Sequence, residues 1–493
     1  MDPIELELRP SWKSLRVDGG APDVPALLAA LGDECGALAL DSAGGRPRRR
    51  SLVAFDPAVS FGGTGVGGAP LDASPASLAE LEGWIRGVRL ADGAELPEGA
   101  AFGGGFAGAL AYDLGVHGEP LDLPRAAWPA PPVVGGLYTE WVELEHGPDG
   151  HVVRALHVQT TGTEAERARR SAHLLALLAS GERAPADRSS RAMAARPERA
   201  TGPAEHMDRV ERTRALIARG ELYQANVAHR STARTARAAR DVYASLRDVN
   251  AAPYMAYVPF RFLDGRRGTL LSASPELLLE VGSAPAGGLR ARTRPIKGTV
   301  ARGADAEEDA AQRERLLSSE KDLAELAMIV DLERNDLGRI ARPGGVRVRG
   351  FPTLETYATV HHLVADVEAD LAEGATALDA LASLFPGGSI TGAPKLRSME
   401  AIADLEGEGR GFFTGSAGFL DARGYAVFNI LIRTLVHRAP EPGAARAASP
   451  EDAEVSFHVG GGITYASDAA LEDEETLHKA AGLLRALEGT PAG

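Results

Sequence analysis

The sequence predicts an α+β fold. Strand-like runs gather in groups, helix-like runs gather between them, and nothing repeats or alternates in the strand–helix–strand manner of a parallel sheet. With 493 residues the chain has room for two or three domains, or a large one and a smaller companion, each burying a core of its own.

In chain order, ALALDS (37–42), RSLVAFDP (50–57), FAGALAYDLG (106–115) and PVVGGLYTEWVELEH (132–146) are apolar, β-branched or aromatic runs, and read as strands with their turns. A helix is expected over 165–180. The stretch that follows is rich in Ala, Arg, Pro and Ser without a hydrophobic period, which marks 181–203 as a linker between an N-terminal region, 1–180, and a second region, 204–489. That second region opens on a helix at 206–220 and continues with strands near 224–232, 254–260, 268–281 and 289–297. Helices near 305–317 and 319–333, a strand at 359–368, and helices at 375–384 and 394–405 come next. Two strands separated by a low-complexity loop, 438–453, lead into a closing helix from about 470 to 487.

Hydrophobic residues at 44% and charged residues at 25% match a globular protein in water, and no apolar run is long enough to span a bilayer. The opening MDPIELELRP lacks the basic-then-apolar layout of a secretory signal, so a cytoplasmic location is expected, with no membrane partner. The single cysteine, Cys35, leaves no internal disulfide and no thiolate metal cluster. A net charge of −15 argues against a nucleic-acid partner, whose phosphates demand basic surface, while a small anion would need a local cluster of Arg and Lys.

Two glycine motifs mislead. GGGFAG at 103–108 satisfies the dinucleotide fingerprint, yet it runs into LAYDLG and a Pro-rich stretch rather than a helix. PGGSITGAPK at 386–395 spaces Gly387 and Gly392 like a phosphate loop, but Ala393 stands where the lysine belongs, and Pro394 suits a first helical turn. This loop is expected to offer backbone N–H groups and Thr391 to a ligand other than a nucleotide.

Three constellations carry chemistry. Asp322 and Glu325 lie three apart on an expected helix whose buried stripe is Leu323, Leu326, Ala327 and Val330. Glu472, Glu475 and Lys479 share one face of the closing helix, just after Gly460, Gly461 and Gly462, where backbone can approach a ligand closely. Either acidic pair alone could be a solvated face or a complement to a helix dipole; two pairs meeting in a cleft would form an all-oxygen site of the kind Mg²⁺ uses. Finally, Glu276 follows Ser274-Pro275 at the opening of a strand whose hairpin partner runs into Lys297 of RTRPIKGTV. If the two strands pair, a proton donor and an amine nucleophile converge at one sheet end.

On these segments the sequence resembles the chorismate-utilising enzymes, which include component I of anthranilate synthase and of aminodeoxychorismate synthase, and the isochorismate and salicylate synthases. The matching stretches are GELYQANVAHR, SASPELLLE, TRPIKGT, EKDLAELAMIVDLERNDLGR, VHHLVADV, FPGGSITGAPKLRSMEAI, GFFTGSAGF, NILIRT, HVGGGI and EDEETLHKA, covering essentially all of 204–485. The N-terminal region is similar more loosely, through LALDSAGG, LVAFDP and GGGFAGALAYDLG.

The resemblance implies two facing antiparallel sheets flanked by helices, with the active cleft between them. It implies that Glu276 protonates the departing 4-hydroxyl of chorismate and that Glu325 and Glu475 bind Mg²⁺, with Asp322 and Glu472 beside them. Arg433, Lys479 and the backbone of Gly460 and Gly461 would hold the enolpyruvyl carboxylate, and Thr391 and His362 would face the ring. Asp41 and Ser42 resemble part of the family's tryptophan pocket.

Two positions separate the branches of the family. Gln224 stands where the isochorismate and salicylate synthases carry a water-activating lysine, and Lys297 stands where anthranilate synthases resemble one another in having alanine and aminodeoxychorismate synthases in having lysine. Displacement with allylic shift delivers an incoming group to C2, so a 4-amino product needs two shifts. A lysine amine that first bonds C2 and is then displaced by ammonia at C4 supplies both. Such an amine must shed its proton, which burial near Arg292 or Arg294 is expected to assist.

The resemblance thus implies conversion of chorismate and ammonia to 4-amino-4-deoxychorismate for 4-aminobenzoate and folate, with ammonia from a separate glutamine amidotransferase subunit. An anthranilate-forming lyase and a non-catalytic chorismate or tryptophan binder are the alternatives. The chain departs from the family at Phe413, where some relatives have a carboxylate-binding tyrosine, at Ala365, and in the longer loop 438–453.

Overall fold

The computed structural model describes residues 6–17, 24–32, 36–43, 49–63, 74–92, 95–96, 99–115, 121–147, 150–159, 172, 197–357, 360–440 and 453–489. All but residue 172 of the helix expected over 165–180, most of the linker 181–203, most of the loop 438–453 and Cys35 lie outside the described residues.

Two large sheets dominate. The first runs, in spatial order, through Glu198–Arg199, Gln224–Thr235, Ala453–Ile463, Thr434–Arg438, Arg267–Ser274, Tyr254–Arg261, Leu38–Asp41, Arg49–Phe55, Glu140–Gly147, Gly150–Gln159, Leu6–Val17 and Val88–Leu90. The second runs through Ile296–Ala301, Val360–Leu371, Leu289–Arg294, Leu277–Ser283, Ala426–Asn429, Ser416–Asp421, Gly105–Leu110, Val133–Tyr138 and Val59–Phe61. Among the described residues, paired strands are antiparallel save Leu6–Leu8 with Val88–Leu90. Strands from before and after residue 200 hydrogen-bond within both sheets.

The sheets face one another: Ala256, Val258, Phe260 and Leu270 of the first share a core cluster with Ala109, Val134 and Ala417 of the second. Helices cover the outer faces. Leu246 of Ala239–Val249 and Leu483 of Ala469–Glu488 pack on the first sheet, while Leu326 and Val330 of Glu320–Gly338 and Leu381 of Ala377–Leu384 pack on the second. The expected α+β class and the two facing antiparallel sheets are therefore observed.

From Gly105 onward GGGFAG is strand, not nucleotide loop. Gly108 pairs with Gly135 across the second sheet, and a methyl group on either would fall 2.0–2.2 Å from the neighbouring backbone oxygen, so side-chain-free residues let these strands close.

The structure departs from the sequence reading in several places, among them the strands Leu6–Val17 and Gly150–Gln159 and the helix Ala239–Val249, where no element was expected. The run 268–281 is two strands, split at Pro275, where the chain leaves the first sheet and enters the second. Likewise 289–297 breaks at Pro295 into Leu289–Arg294 and Ile296–Ala301; Pro has no N–H to give a ladder, so both breaks fall where physics places them. A long strand, Ala341–Thr356, hairpins onto Val360–Leu371 and has no counterpart in the reading. Its largely exposed sequence, ARPGGVRVRGFPTLET, lacks an apolar period, and its pairing slips register three times.

The chain also returns from the second sheet to the first between Asn429 and Thr434. The two crossings lie side by side: Leu277 pairs with Asn429, Ser272 pairs with Thr434, and Ile430 N–H donates to the Glu276 carbonyl at 3.1 Å. Arg433 turns there through a left-handed φ of 51°, its carbonyl accepting from Ala273 N–H at 3.0 Å.

Candidate active site

Glu276 and Arg433 sit on these two crossings, and Ile296–Ala301 brings Lys297 to them. The hairpin places Leu277 opposite Arg294, and Ile296 N–H reaches the Glu276 Oε1 at 3.3 Å. Burial pushes the Glu276 carboxyl above its ordinary range against the pull of the Ser389 hydroxyl and of the Lys297 and Arg433 charges. Burial likewise holds the Lys297 amine below its ordinary value, although Glu325 and Glu276 favour its charged form. The cation that adds to this depression is Lys479. Arg292 and Arg294, expected in that part, are instead neutralised on Asp366, with Arg294 also bound to Glu355.

The first sheet contributes the opposite wall through paired Gln224–Thr235 and Ala453–Ile463. Gln224 is fully buried and both atoms of its amide lack a hydrogen-bond partner among the described residues. A methyl on Gly462 would fall 2.2 Å from the Gln224 Nε2 and 3.1 Å from the Lys297 Nζ, and one on Gly461 would fall 2.9 Å from the Glu472 Oε2. Both glycines therefore keep space open between polar side chains.

Two helices aim their first turns at the same place, and each is capped: Ser319 accepts from Asp322 N–H, and Asp468 accepts from Ala470 and Leu471 N–H. Glu325 Oε2 lies 4.0 Å from the Lys297 Nζ, and the Lys321 Nζ sits 3.9 Å from Glu325 and 3.8 Å from Glu472. Ser467 donates to Glu472 at 2.7 Å, and Lys479 bonds both Glu475 and the Gly460 carbonyl at 2.7 Å. Burial would raise the Glu475 carboxyl, but Lys479 brings it below its ordinary value, whereas Glu325 is raised by burial despite Lys297 and Lys321.

Among the described residues no three His, Cys, Asp or Glu side chains are gathered tightly enough to hold a metal ion. The donor chemistry nevertheless fits Mg²⁺. Glu325 Oε1 is buried without a hydrogen-bond partner, and an ammonium group already bridges Glu325 and Glu472. Asp322 borders this cluster, its side chain 3.0 Å from where a methyl on Gly298 would lie.

Of the remaining predicted residues, His362 is buried and paired through Nδ1 with Thr299 at 2.7 Å, and burial with the nearby Arg433 charge lowers its pKa to about 4. Thr391 is buried and donates to the Gly387 carbonyl at 2.8 Å. Phe413 lies flat on His458, rings 4.8 Å apart. Asp41 and Ser42 are not at this site; with Met255, Arg292 and Asn429 they line a separate cavity of about 700 Å³ between the sheets. There Asp41 is held by Ser51 and by Arg247 at 2.7 Å.

Sequence reasoning missed Lys321, Ser389 and Glu333, and placed Ala327 on the buried stripe although it is exposed. The helix runs five residues beyond the expected 333, to Gly338, and its buried face continues through Ile329, Glu333 and Asp336. A strict 3.6-residue count from Leu326 would have reached Ile329, Val330 and Glu333.

A family model described as chorismate binding enzyme matches residues 89–485. Anthranilate synthase component 1 of Streptomyces coelicolor is 35% identical over 443 residues, 86% of this chain and 79% of that one. Aminodeoxychorismate synthase component 1 of Bacillus subtilis is 39% identical over 279 residues, 57% of this chain and 54% of its own. Among solved structures, anthranilate synthase component I from Streptococcus pneumoniae superposes with a TM-score of 0.70 at 27% identity, over 89% of this chain and 93% of that one. The Escherichia coli isochorismate synthase MenF shares the fold with a TM-score of 0.69 at 20% identity, over 99% and 96%.

Proposed function

Because the chain belongs to the chorismate binding enzymes, of the anthranilate synthase I and aminodeoxychorismate synthase type, we propose that it aminates chorismate at C4, yielding 4-amino-4-deoxychorismate. The observation that carries this reading is the largely buried Lys297 side chain brought to the sheet end where Glu276 is buried.

Lys297 bonds to C2, both conjugated ring double bonds shift, and the C4–O bond breaks as Glu276 gives its proton to the leaving hydroxyl, which departs as water. Ammonia then bonds to C4, both double bonds shift back, the C2–N bond breaks to release the lysine amine, and the proton shed by the new C4 ammonium returns to Glu276. Gln224 cannot take a proton from water, so hydroxylation lacks its base, and its unpartnered amide is left for substrate. Arg433, Lys479 and the backbone at Gly460 and Gly461 supply cationic and N–H contacts for carboxylate, with His362 and Thr391 lining the ring.

Mg²⁺ would be held by Glu325 and Glu475, with Asp322 and Glu472 beside them, once the half-exposed Lys321 side chain swings out. Bound there it would offset the substrate's negative charge. Ammonia is proposed to come from a glutamine amidotransferase partner, so the purified chain should turn over with ammonium and not with glutamine alone.

A second reading, an anthranilate-forming lyase, is favoured by the names of most relatives, including the one in Streptomyces coelicolor. Product identity decides. With chorismate, Mg²⁺ and ammonium, mass analysis should find the 4-amino product with its enolpyruvyl group retained, and Lys297→Ala should divert part of the flux to the 2-amino isomer or anthranilate. Anthranilate and pyruvate from the parent chain, or an undiminished 4-amino product from Lys297→Ala, would defeat the reading.

A further inference from the structure

The closing helix Ala469–Glu488 has a second polar face, one residue around from the one that meets the site. Asp473 on that face receives a fork from Arg199, at 2.6 and 3.3 Å, while Arg199 Nε donates to the Thr201 carbonyl at 3.1 Å. His206, on the helix Pro203–Ala218, approaches the same carboxylate through Nδ1 at 3.1 Å and is 1% exposed. One turn on, the Thr476 hydroxyl donates to the Asp473 carbonyl at 2.7 Å, so its lone pair accepts from His229 Nε2–H at 3.1 Å. The two imidazoles stand edge to face with centroids 5.2 Å apart, and His206 Nε2 and His229 Nδ1 have no partner among the described residues.

None of these groups touches the cleft, yet all of them grip the helix that delivers Glu472, Glu475 and Lys479. A surface helix needs no half-buried arginine fork and two buried imidazoles merely to stay folded, since its apolar face, Ala480, Leu483, Ala486 and Leu487, already packs on the first sheet. The polar grip adds a fixed roll about the helix axis. Lys479 lies about one turn beyond Thr476 and nearly two beyond Asp473, so a roll of some tens of degrees would carry its ammonium off the Gly460 carbonyl by more than an ångström.

We propose that Arg199, His206 and His229 are positioning residues: through Asp473 and Thr476 they fix the roll of the closing helix and so hold Lys479 and the two glutamates against Gly460 and Gly461. The inference rests on the placement of the substrate carboxylate at Lys479 given above. Misplacement of about 1 Å at a site costs up to a hundredfold.

The test compares the full-length parent with Thr476→Val, Thr476→Ser and Asp473→Asn. Chorismate binding is measured by calorimetry without ammonia, steady-state kinetics with ammonium, and thermal unfolding for each. Thr476→Val and Asp473→Asn should weaken chorismate binding and raise KM tenfold or more, with kcat within threefold, and Thr476→Ser should restore the parent values. Lys479→Ala runs alongside. Tenfold weaker binding in Lys479→Ala with parent-like binding in Thr476→Val and Asp473→Asn overturns the latch alone, even where unfolding midpoints fall. Parent-like binding in Lys479→Ala overturns the placement of the site and the latch with it.

Discussion

The Lys297 amine can attack carbon only after losing its proton, and the Glu276 carboxyl can assist a leaving group only while it keeps one. In water the pair would settle as an ion pair. Burial raises the acid and lowers the amine, moving a shared proton toward the neutral–neutral form that both roles require. The plot of kcat/KM against pH should therefore be a bell, falling on the acid side as the amine is protonated and on the alkaline side as the pair gives up its last proton. Glu276→Gln should cut kcat by about 10²–10⁴. It should also abolish the alkaline fall and leave the acid midpoint at or above the parent's, because on the acid limb the carboxyl is already protonated and a neutral amide replaces a neutral acid. A midpoint that falls in that variant would mean that Glu276 is ionised beside the ammonium and cannot serve as the acid.

At the scale of the element, the helix Glu320–Gly338 shows what sequence can and cannot reveal. Asp322 and Glu325 were legible because spacing alone puts them on one face. Glu333 was not, because a carboxyl inside a buried stripe reads as a boundary rather than as part of the face. Its burial, with Glu276 and Asp336 nearby, raises it well above the ordinary range despite Thr293 donating at 3.1 Å. The unfolded chain ionises this group near its ordinary pKa and the fold does not, so its contribution is complete at low pH. Stability then erodes by ~1.4 kcal/mol per pH unit above that value. Glu333→Gln should gain on the parent as pH rises from about 5 to 7 in urea titrations; a gap independent of pH would mean that Glu333 is ionised in the fold. Gly298 tests the same helix from below. Its φ is +84°, and a methyl would stand 2.9 Å from Leu316 and 3.0 Å from Asp322, so Gly298→Ala should cost about 1–3 kcal/mol and displace Asp322. Denaturant midpoints equal to the parent's would show that the turn relaxes. The strands split at Pro275 and Pro295 were half legible: each proline announced a break, but only the folded chain shows that at Pro275 the break changes sheet.

For the whole molecule, carboxylates and lysines carried by two helices meet Lys297 on a strand of the second sheet and Glu276 and Arg433 on the crossings between the sheets, and no single element holds a complete set. A cation binding there would tie both outer layers together. Mg²⁺ at 100 times its dissociation constant should stabilise the fold by about 2.7 kcal/mol, seen as a raised thermal midpoint, and EDTA should remove both that shift and turnover. Glu325→Gln should lose the shift; a midpoint that still rises would place the ion elsewhere. The pairing of Gln224–Thr235 with Ala453–Ile463 carries a different kind of consequence, one of time. Residue 225 meets residue 463, so at roughly 5–20 residues per second the strand waits on the order of 12–48 s of synthesis for its neighbour, open-edged and able to pair with any passing chain. During that interval the second sheet also waits, since Gly105–Leu110 needs Ser416–Asp421, and any slowing of the ribosome between residues 225 and 463 lengthens the exposure directly.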